Sequence, residues 1–356
     1  MNFDKHGFRA APSHQEKVHE AAKFFNAGRT GSPIQQAELQ EAFSTPDFPK
    51  LLGDAFTKKA IVAQKAAVNE FDPILAHTTV PDFQRHKLVD LWGADEFERV
   101  REGEEYKGGS LNETDLDHGT AKWGKSYGLT FELRLRRLFS DLANFPTLLG
   151  NGAVKAKNTA AASALVTAAG AWDPALFGAV QSTALDADGL DAAINALAIR
   201  EDHRGDLVDT SNLVLVVGPG LQTQAARLLN VDRLVIKQTV GNKETRTEVP
   251  NPFKGLVTLL VSRSVGKRLG ANQSKAWALV QGKGSTLPSL IDTGLEGHDG
   301  NVDIRVKNDQ GTNVGGGAIS ADQGSFNDDT IWYRGRTFFG IDKGFGTGVY
   351  ASNGAA

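Results

Sequence analysis

The sharpest pattern of apolar and polar positions lies at residues 127–136. Tyr127, Leu129, Phe131, Leu133 and Leu135 alternate there with Gly128, Thr130, Glu132, Arg134 and Arg136. A period of two puts the two sets on opposite sides of an extended chain, so a long strand with one buried and one wet face is predicted. A helical period follows. Leu149, Ala153, Ala156, Ala160 and Ala164 make a narrow stripe of small residues, with Asn144 placed to cap it and Pro146 in its first turn. Gly170 and Pro174 mark its end, so a long, slender helix is expected within 139–172.

The flanking regions read less regularly. Residues 1–80 carry helical spacing at 21–25, 34–43 and 56–71, interrupted by Pro46 and Pro49. Residues 186–291 give a mixed α/β unit. Its elements are a helix at 190–199, a strand at 213–217, a Gly218-Pro219-Gly220 turn, a helix at 221–229 and strands near 234–240, 255–262 and 276–281. Residues 292–328 are rich in Gly, Asp and Asn around an alternating strand at 302–306. Late strands at 330–334 and 337–341 are expected to pair with it. The class is α+β, and no internal repeat is present.

Residues 96–125 stand apart, because they hold too few apolar residues for a core and abound in glycine and both charges. Unstructured loops beyond about 12–15 residues are uncommon. A hairpin arm is expected instead, each side roughly 30–40 Å long at ~3.4 Å per residue, and an arm of that reach implies a partner surface. Glu102, Glu104, Lys107, Lys122 and Lys125 are candidates for ion pairs between subunits, against the alternative of a solvated hairpin. Tyr106 and Trp123, aromatic residues amid polar ones, are candidate interface anchors.

Composition narrows the chemistry. The 356 residues are 40% hydrophobic and 23% charged, with 39 glycines, one methionine and no cysteine. Without cysteine there are no disulfides, thiolate metal sites or cysteine nucleophiles. A net charge of −3 gives no global drive toward nucleic acid, so DNA contact is expected to be local and weak. The first thirty residues lack an apolar signal segment, and no apolar run approaches the ~20 residues of a membrane-spanning helix. A chain that stays in the cytoplasm is expected.

Motifs for catalysis were weighed and fail. The turn at 218–220 resembles a dinucleotide loop, yet Thr223 replaces the third glycine, Pro219 removes an N–H, and no acid follows at the required distance. Gly282-Lys283-Gly284-Ser285 lacks the upstream glycine of a phosphate loop. Residues 299–303 begin like a calcium loop, but Ile304 and Gln310 occupy the places of its glycine and glutamate. Glu296 and His298 are an isolated couple, and Gly108-Gly109-Ser110-Leu111-Asn112 ends in Asn where a nucleophile elbow needs glycine. No catalytic, cofactor or metal residues are assigned.

The order of segments resembles the HK97-type major capsid protein of tailed bacteriophages. Residues 139–150, FSDLANFPTLLG before an alanine-rich helix, are similar to the major head subunit of Mu-like phages, with Asp141, Leu142 and Gly150 in the matching places. The glutamate-rich ERVREGEEY ending at Tyr106 resembles the start of that family's extended loop. The resemblance implies an N-terminal arm (1–80), an E-loop near 93–128 with flanking strands (81–137), and a spine helix (138–185). It further implies an A-domain (186–291) and P-domain strands with the C-terminus (292–356), the P-domain combining the spine helix with an antiparallel sheet. The implied function is self-assembly, through hexamers and pentamers, of an icosahedral virion shell around double-stranded DNA, built in the bacterial host cytoplasm. Partners would be a separate scaffold, a portal, decoration proteins and packaged DNA held non-specifically, with no membrane. Some members crosslink through lysine and asparagine, for which Lys107 or Lys122 would be tested, and no N-terminal cleavage is expected. Two readings stand against it: a cytoplasmic nucleotide-binding α/β enzyme, and a tail or baseplate component.

Overall fold

A computed structural model describes residues 14–30, 35, 47–92, 99, 102, 112–130, 139–240, 243–298, 300–317, 319 and 324–354. In chain order these form α1 (His14–Thr30), α2 (Asp47–Ala66), β1 (Leu75–Val80), β2 (His86–Trp92), β3 (Asn112–His118), β4 (Ala121–Leu129) and α3 (Phe139–Leu165). Next come α4 (Pro174–Phe177), α5 (Ala187–Ala198), β5 (Leu213–Val217), α6 (Gln222–Asn230), β6 (Arg233–Val240), β7 (Lys243–Pro250), β8 (Val257–Val261) and α7 (Arg263–Leu269). The chain finishes with β9 (Trp277–Gln281), β10 (Leu290–Leu295), β11 (Asp303–Val306), β12 (Ile331–Lys343) and β13 (Tyr350–Ser352). The class is α+β, as expected. Two compact units result, one drawn from 1–68, 122–155 and 300–338, the other from 69–121, 156–299 and 339–356.

The second unit is organised by a four-stranded sheet in the order β13-β9-β5-β8, with β5 parallel to β8 and antiparallel to β9. Every residue of β5 and of β9 is buried, as in a strand covered on both faces. Alternate side chains divide between two cores. Val214, Val216, Ala278 and Val280 meet Ala161, Ala162 and Leu165 of α3. Leu213, Leu215, Trp277 and Leu279 meet Leu190 and Leu197 of α5 and Ala225 and Leu228 of α6. Asp186 caps α5 by accepting the Gly189 N–H at 2.7 Å, and Ser262 caps α7 by accepting the Val265 N–H at 3.1 Å. In the same unit β1 runs parallel to β10, and β10 pairs antiparallel with the last residues of β12.

In the first unit β11 pairs antiparallel with β12, Asp303 opposite Arg336, and β4 also pairs with β12. Phe145, Leu149 and Val302 form its small core with Ala153, Ile304 and Tyr333.

The structure corrects several boundaries. The slender helix starts at Phe139, so Pro146 lies inside it rather than in its first turn. It stops at Leu165, where Val166 bridges back to the fully buried Trp172 and Gly170 turns the chain with φ +78°. The two late strands are one, because Gly335 marks close packing and not a break: a Cβ there would sit 2.9 Å from Leu149. Strand β7, absent from the sequence reading, pairs along its whole length with β6, Val240 opposite Lys243. The helix expected at 34–43 and the strand expected beyond Thr130 fall outside the described residues, Gln35 excepted.

Candidate assembly interface

The arm is a two-stranded ladder. Strands β2 and β3 pair antiparallel from His86 opposite His118 to Trp92 opposite Asn112. Its base is tied down by charge. Arg85 donates from Nη1 to Asp342 at 2.7 Å and from Nη2 to the Asp117 carbonyl at 2.8 Å, while Asp342 also accepts the Gly119 N–H at 3.0 Å. His118 is buried beside the Thr293 hydroxyl at 3.1 Å, and that burial lowers its pKa. Further along, Asp90 on β2 meets Arg204 and His203, and the His203 ring stacks on Phe345 at 4.6 Å. The Arg204 guanidinium holds the Asp90 carboxyl below the usual carboxylate range. Lys87 pairs with Asp115 across the ladder. Phe83, Leu88 and Val89 stay exposed, apolar surface on an element with little core of its own.

The arm ends earlier than the sequence implied. Gly119 and Thr120 interrupt the return strand, because Gly340 passes so close that a Cβ on it would strike the Gly119 carbonyl. Lys122, Trp123 and Lys125 therefore belong not to the arm but to β4, which lies against β12. Gly124 permits that approach: a Cβ there would come within 2.7 Å of the Gly335 carbonyl oxygen. Tyr127 meets Phe145 edge-on at 5.5 Å, and the Lys125 ammonium sits 5.4 Å from the Tyr127 ring centroid. Beside them opens a concavity of about 340 Å³, lined by residues 122–126 with Arg334 and Arg336. Four of its lining residues are cationic and none is acidic. Arg336 is partly satisfied by Asp303 at 2.8 Å. Burial works to raise the Asp303 pKa, but hydrogen bonds from Arg336 and Arg305 outweigh it and hold the carboxyl low.

Of the residues singled out from sequence, the structure brings together Lys122, Trp123 and Lys125. Glu102 is exposed, and Glu104, Tyr106 and Lys107 lie outside the described residues. Sequence reasoning missed Arg334 and Arg336. Their signal was the i, i+2 spacing that puts both on one face of a strand, but nothing local linked that face to Lys122. The turn at Gly218–Gly220 is packed by its own chain: Cβ atoms there would lie 3.0–3.3 Å from Gln273, Ser274 and Gly266. Asp303, from the calcium-like segment, is engaged by the two arginines. Among the described residues no cluster could hold a metal ion, and no helix is long and apolar enough to cross a membrane.

The sequence model of a family described as phage capsid protein matches residues 113–352. Solved structures with similar chains include the mature capsid of bacteriophage PhiM1, at 14% identity, TM-score 0.44, and coverage of 80% of this chain and 86% of that one. Gordonia phage Cozz gives 14% identity and TM-score 0.46 over 80% of this chain and 85% of that one. A virus-like particle from Pyrococcus furiosus gives 9% identity and TM-score 0.45 over 84% of this chain and 98% of that one. No curated protein matches.

Proposed function

The chain belongs to the phage capsid protein family and is a major capsid protein, a structural subunit of an icosahedral phage shell; we propose that it closes this shell in the HK97 manner, as hexamers and pentamers around double-stranded DNA. The family match carries the reading, since it runs from the arm's return strand to β13 and so takes in both units. The geometry supports it. Two ladders, β2–β3 and β6–β7, are separate two-stranded sheets, and a two-stranded hairpin alone is marginal in water. We read β2–β3 as an arm laid on a neighbouring subunit, α3 as the spine, and the unit around β5 as the axial domain. Scaffold, portal and DNA are the partners this reading calls for, with assembly in the host cytoplasm and no catalysis by the subunit.

Electron microscopy of the expressed chain tests it. Closed shells, or hexamers and pentamers, are expected; a persistent compact monomer or an open tube would overturn the reading. Replacing residues 93–111 by a two-residue Asn-Gly turn keeps the Trp92–Asn112 end of the ladder and should abolish shells while leaving the subunit folded.

A further inference from the structure

We propose, resting on the shell reading, that the cationic sheet face shared by β4, β11 and β12 is where the subunit holds the phosphate backbone of the enclosed double-stranded DNA. The sheet has two unlike faces. On one, Ile304, Tyr333 and Gly335 pack toward Phe145 and Leu149 of α3. Alternation then places their neighbours Asp303, Arg305, Arg334 and Arg336 on the other. Register brings Arg305 directly opposite Arg334, and Asp303 opposite Arg336. Lys122 and Lys125 of β4 converge with Arg334 and Arg336 around the concavity of about 340 Å³. Five cations thus face one carboxylate, in a chain whose net charge is −3. Asp303 is already engaged, accepting from Arg305 Nε at 3.0 Å and from Arg336 Nε at 2.8 Å. Lys125 sits over the Tyr127 ring, and among the described residues no carboxylate pairs with Lys122 or Arg334.

Like charges directly opposite each other on a sheet are destabilising, so the Arg305–Arg334 pair is a cost to the fold that an anion laid across it removes. Both residues are exposed, which leaves the anion room. What surrounds the arginines decides its chemistry. Interfaces between proteins gather apolar area at their centre and deplete charge there. The centre here is arginine beside arginine, the composition of a surface that meets nucleic acid. The two-residue advance from Arg334 to Arg336 is about 6.8 Å, twice the ~3.4 Å axial rise per phosphate of one DNA strand, so a duplex lying along β12 meets both. Contacts to phosphate carry no sequence information, as an enclosed genome requires. Each is weak alone, and repetition over the copies of a shell makes the sum strong.

Duplex binding by the unassembled subunit tests the assignment. A fluorescent duplex of about 20 base pairs is titrated by anisotropy between about 50 and 200 mM salt. Neutralising four or five phosphates gives a log–log salt slope of roughly −4, with equal affinity for A·T-rich and G·C-rich duplexes. Lys122→Gln, Arg305→Gln and Arg334→Gln together should weaken binding about tenfold or more and bring the slope to about −1 to −2, with circular dichroism and melting to check that the variant folds. A folded triple variant with wild-type affinity and slope would overturn the DNA contact and leave the shell reading intact. Tighter binding of poly-glutamate than of duplex at equal charge would assign the face to an acidic polypeptide instead. Wild-type shells assembled with and without DNA give a readout that needs no variant, because lysine acetylation can be read by mass spectrometry. Lys122 and Lys125 should react in empty shells and be protected in filled ones. Equal protection in both would mean that protein covers the face in the shell, and equal reactivity that nothing does; either overturns the assignment. A wild-type chain that never assembles would overturn the shell reading, and with it enclosed DNA as the occupant.

Discussion

Asp90 of β2 receives three hydrogen bonds from Arg204: Nη2 reaches Oδ1 and Oδ2 at 2.7 Å, and Nε reaches Oδ2 at 3.1 Å. This bidentate grip fixes the arm to the loop after α5, with His203 as a second donor at 2.7 Å. Asp90 is 25% exposed and Arg204 28%, so the pair is only partly screened. We expect Arg204→Ala to cost about 1–2 kcal/mol, above the ~0–1 kcal/mol of an exposed pair. The pH dependence follows from the lowered Asp90 pKa. A depressed folded value gives stability that is complete above the unfolded carboxylate pKa of ~3.9 and is lost as pH falls through the folded value. The stability gap between wild type and Arg204→Ala should therefore be constant from about pH 7 to pH 5 and close below about pH 4. Urea unfolding of unassembled subunits over that range checks it.

Asp292 of β10 sits 2.5 Å from the Lys157 ammonium and 2.6 Å from His77 Nδ1, with its side chain 6% exposed. Removing the carboxylate strands a half-buried ammonium, which is the expensive way to break an ion pair. Asp292→Ala should cost about 3 kcal/mol and Asp292→Asn clearly less, since the amide still offers an acceptor. Denaturant midpoints at constant m-value measure both. A cost under about 1 kcal/mol for the alanine would mean that water screens the cluster as it does a surface pair.

These contacts mark the limit of what the sequence discloses. The α/β unit was legible because Leu213–Val217 and Trp277–Gln281 must be covered on both faces, whereas the helix at Arg263–Leu269, capped by Ser262, was not read from the sequence. The polar arm was legible from its lack of core residues, although its end was not. Gly119 breaks the strand because Gly340, more than two hundred residues away, occupies the space beside it. The same holds for the interface: Lys122 and Arg334 meet through strand pairing, and Asp90 finds Arg204 across 114 positions, so neither leaves a local pattern. Gly335 shows the converse error, where a residue that looks like a strand break is a packing site beneath Leu149.

The Gly218-Pro219-Gly220 turn separates the shell subunit from a nucleotide-binding enzyme. A Cβ on Gly266 would lie 2.4 Å from Pro219 Cδ and 3.1 Å from Gln273, so the turn packs directly against the first turn of α7. Gly266→Val should therefore destabilise by about 1–3 kcal/mol through overpacking. ATP or NAD at a hundred times a plausible Kd would add about 2.7 kcal/mol to a protein that bound it. We expect no shift in Tm with either, measured by differential scanning fluorimetry on the unassembled subunit.

Two glycines on α3, two residues apart, give the most discriminating test of the packing. Gly150, one of the residues carrying the likeness to head subunits, faces α2: a Cβ there would fall 2.3 Å from the Ala60 carbonyl oxygen and 2.9 Å from the Gln64 amide nitrogen. Backbone cannot swing aside as a side chain can, so Gly150→Ala must push the two helices apart. The better helix propensity of alanine, worth up to ~1 kcal/mol, is then outweighed by about 1–3 kcal/mol of overpacking. At Gly152 a Cβ would meet nothing within 4 Å, so the propensity gain stands alone. Gly152→Ala should stabilise by about 0.5–1 kcal/mol. Opposite signs for the same chemical change two residues apart, read as shifts in urea midpoint, would identify Gly150 as the point where the spine helix beds on α2. Equal signs would mean that α2 does not pack there in solution.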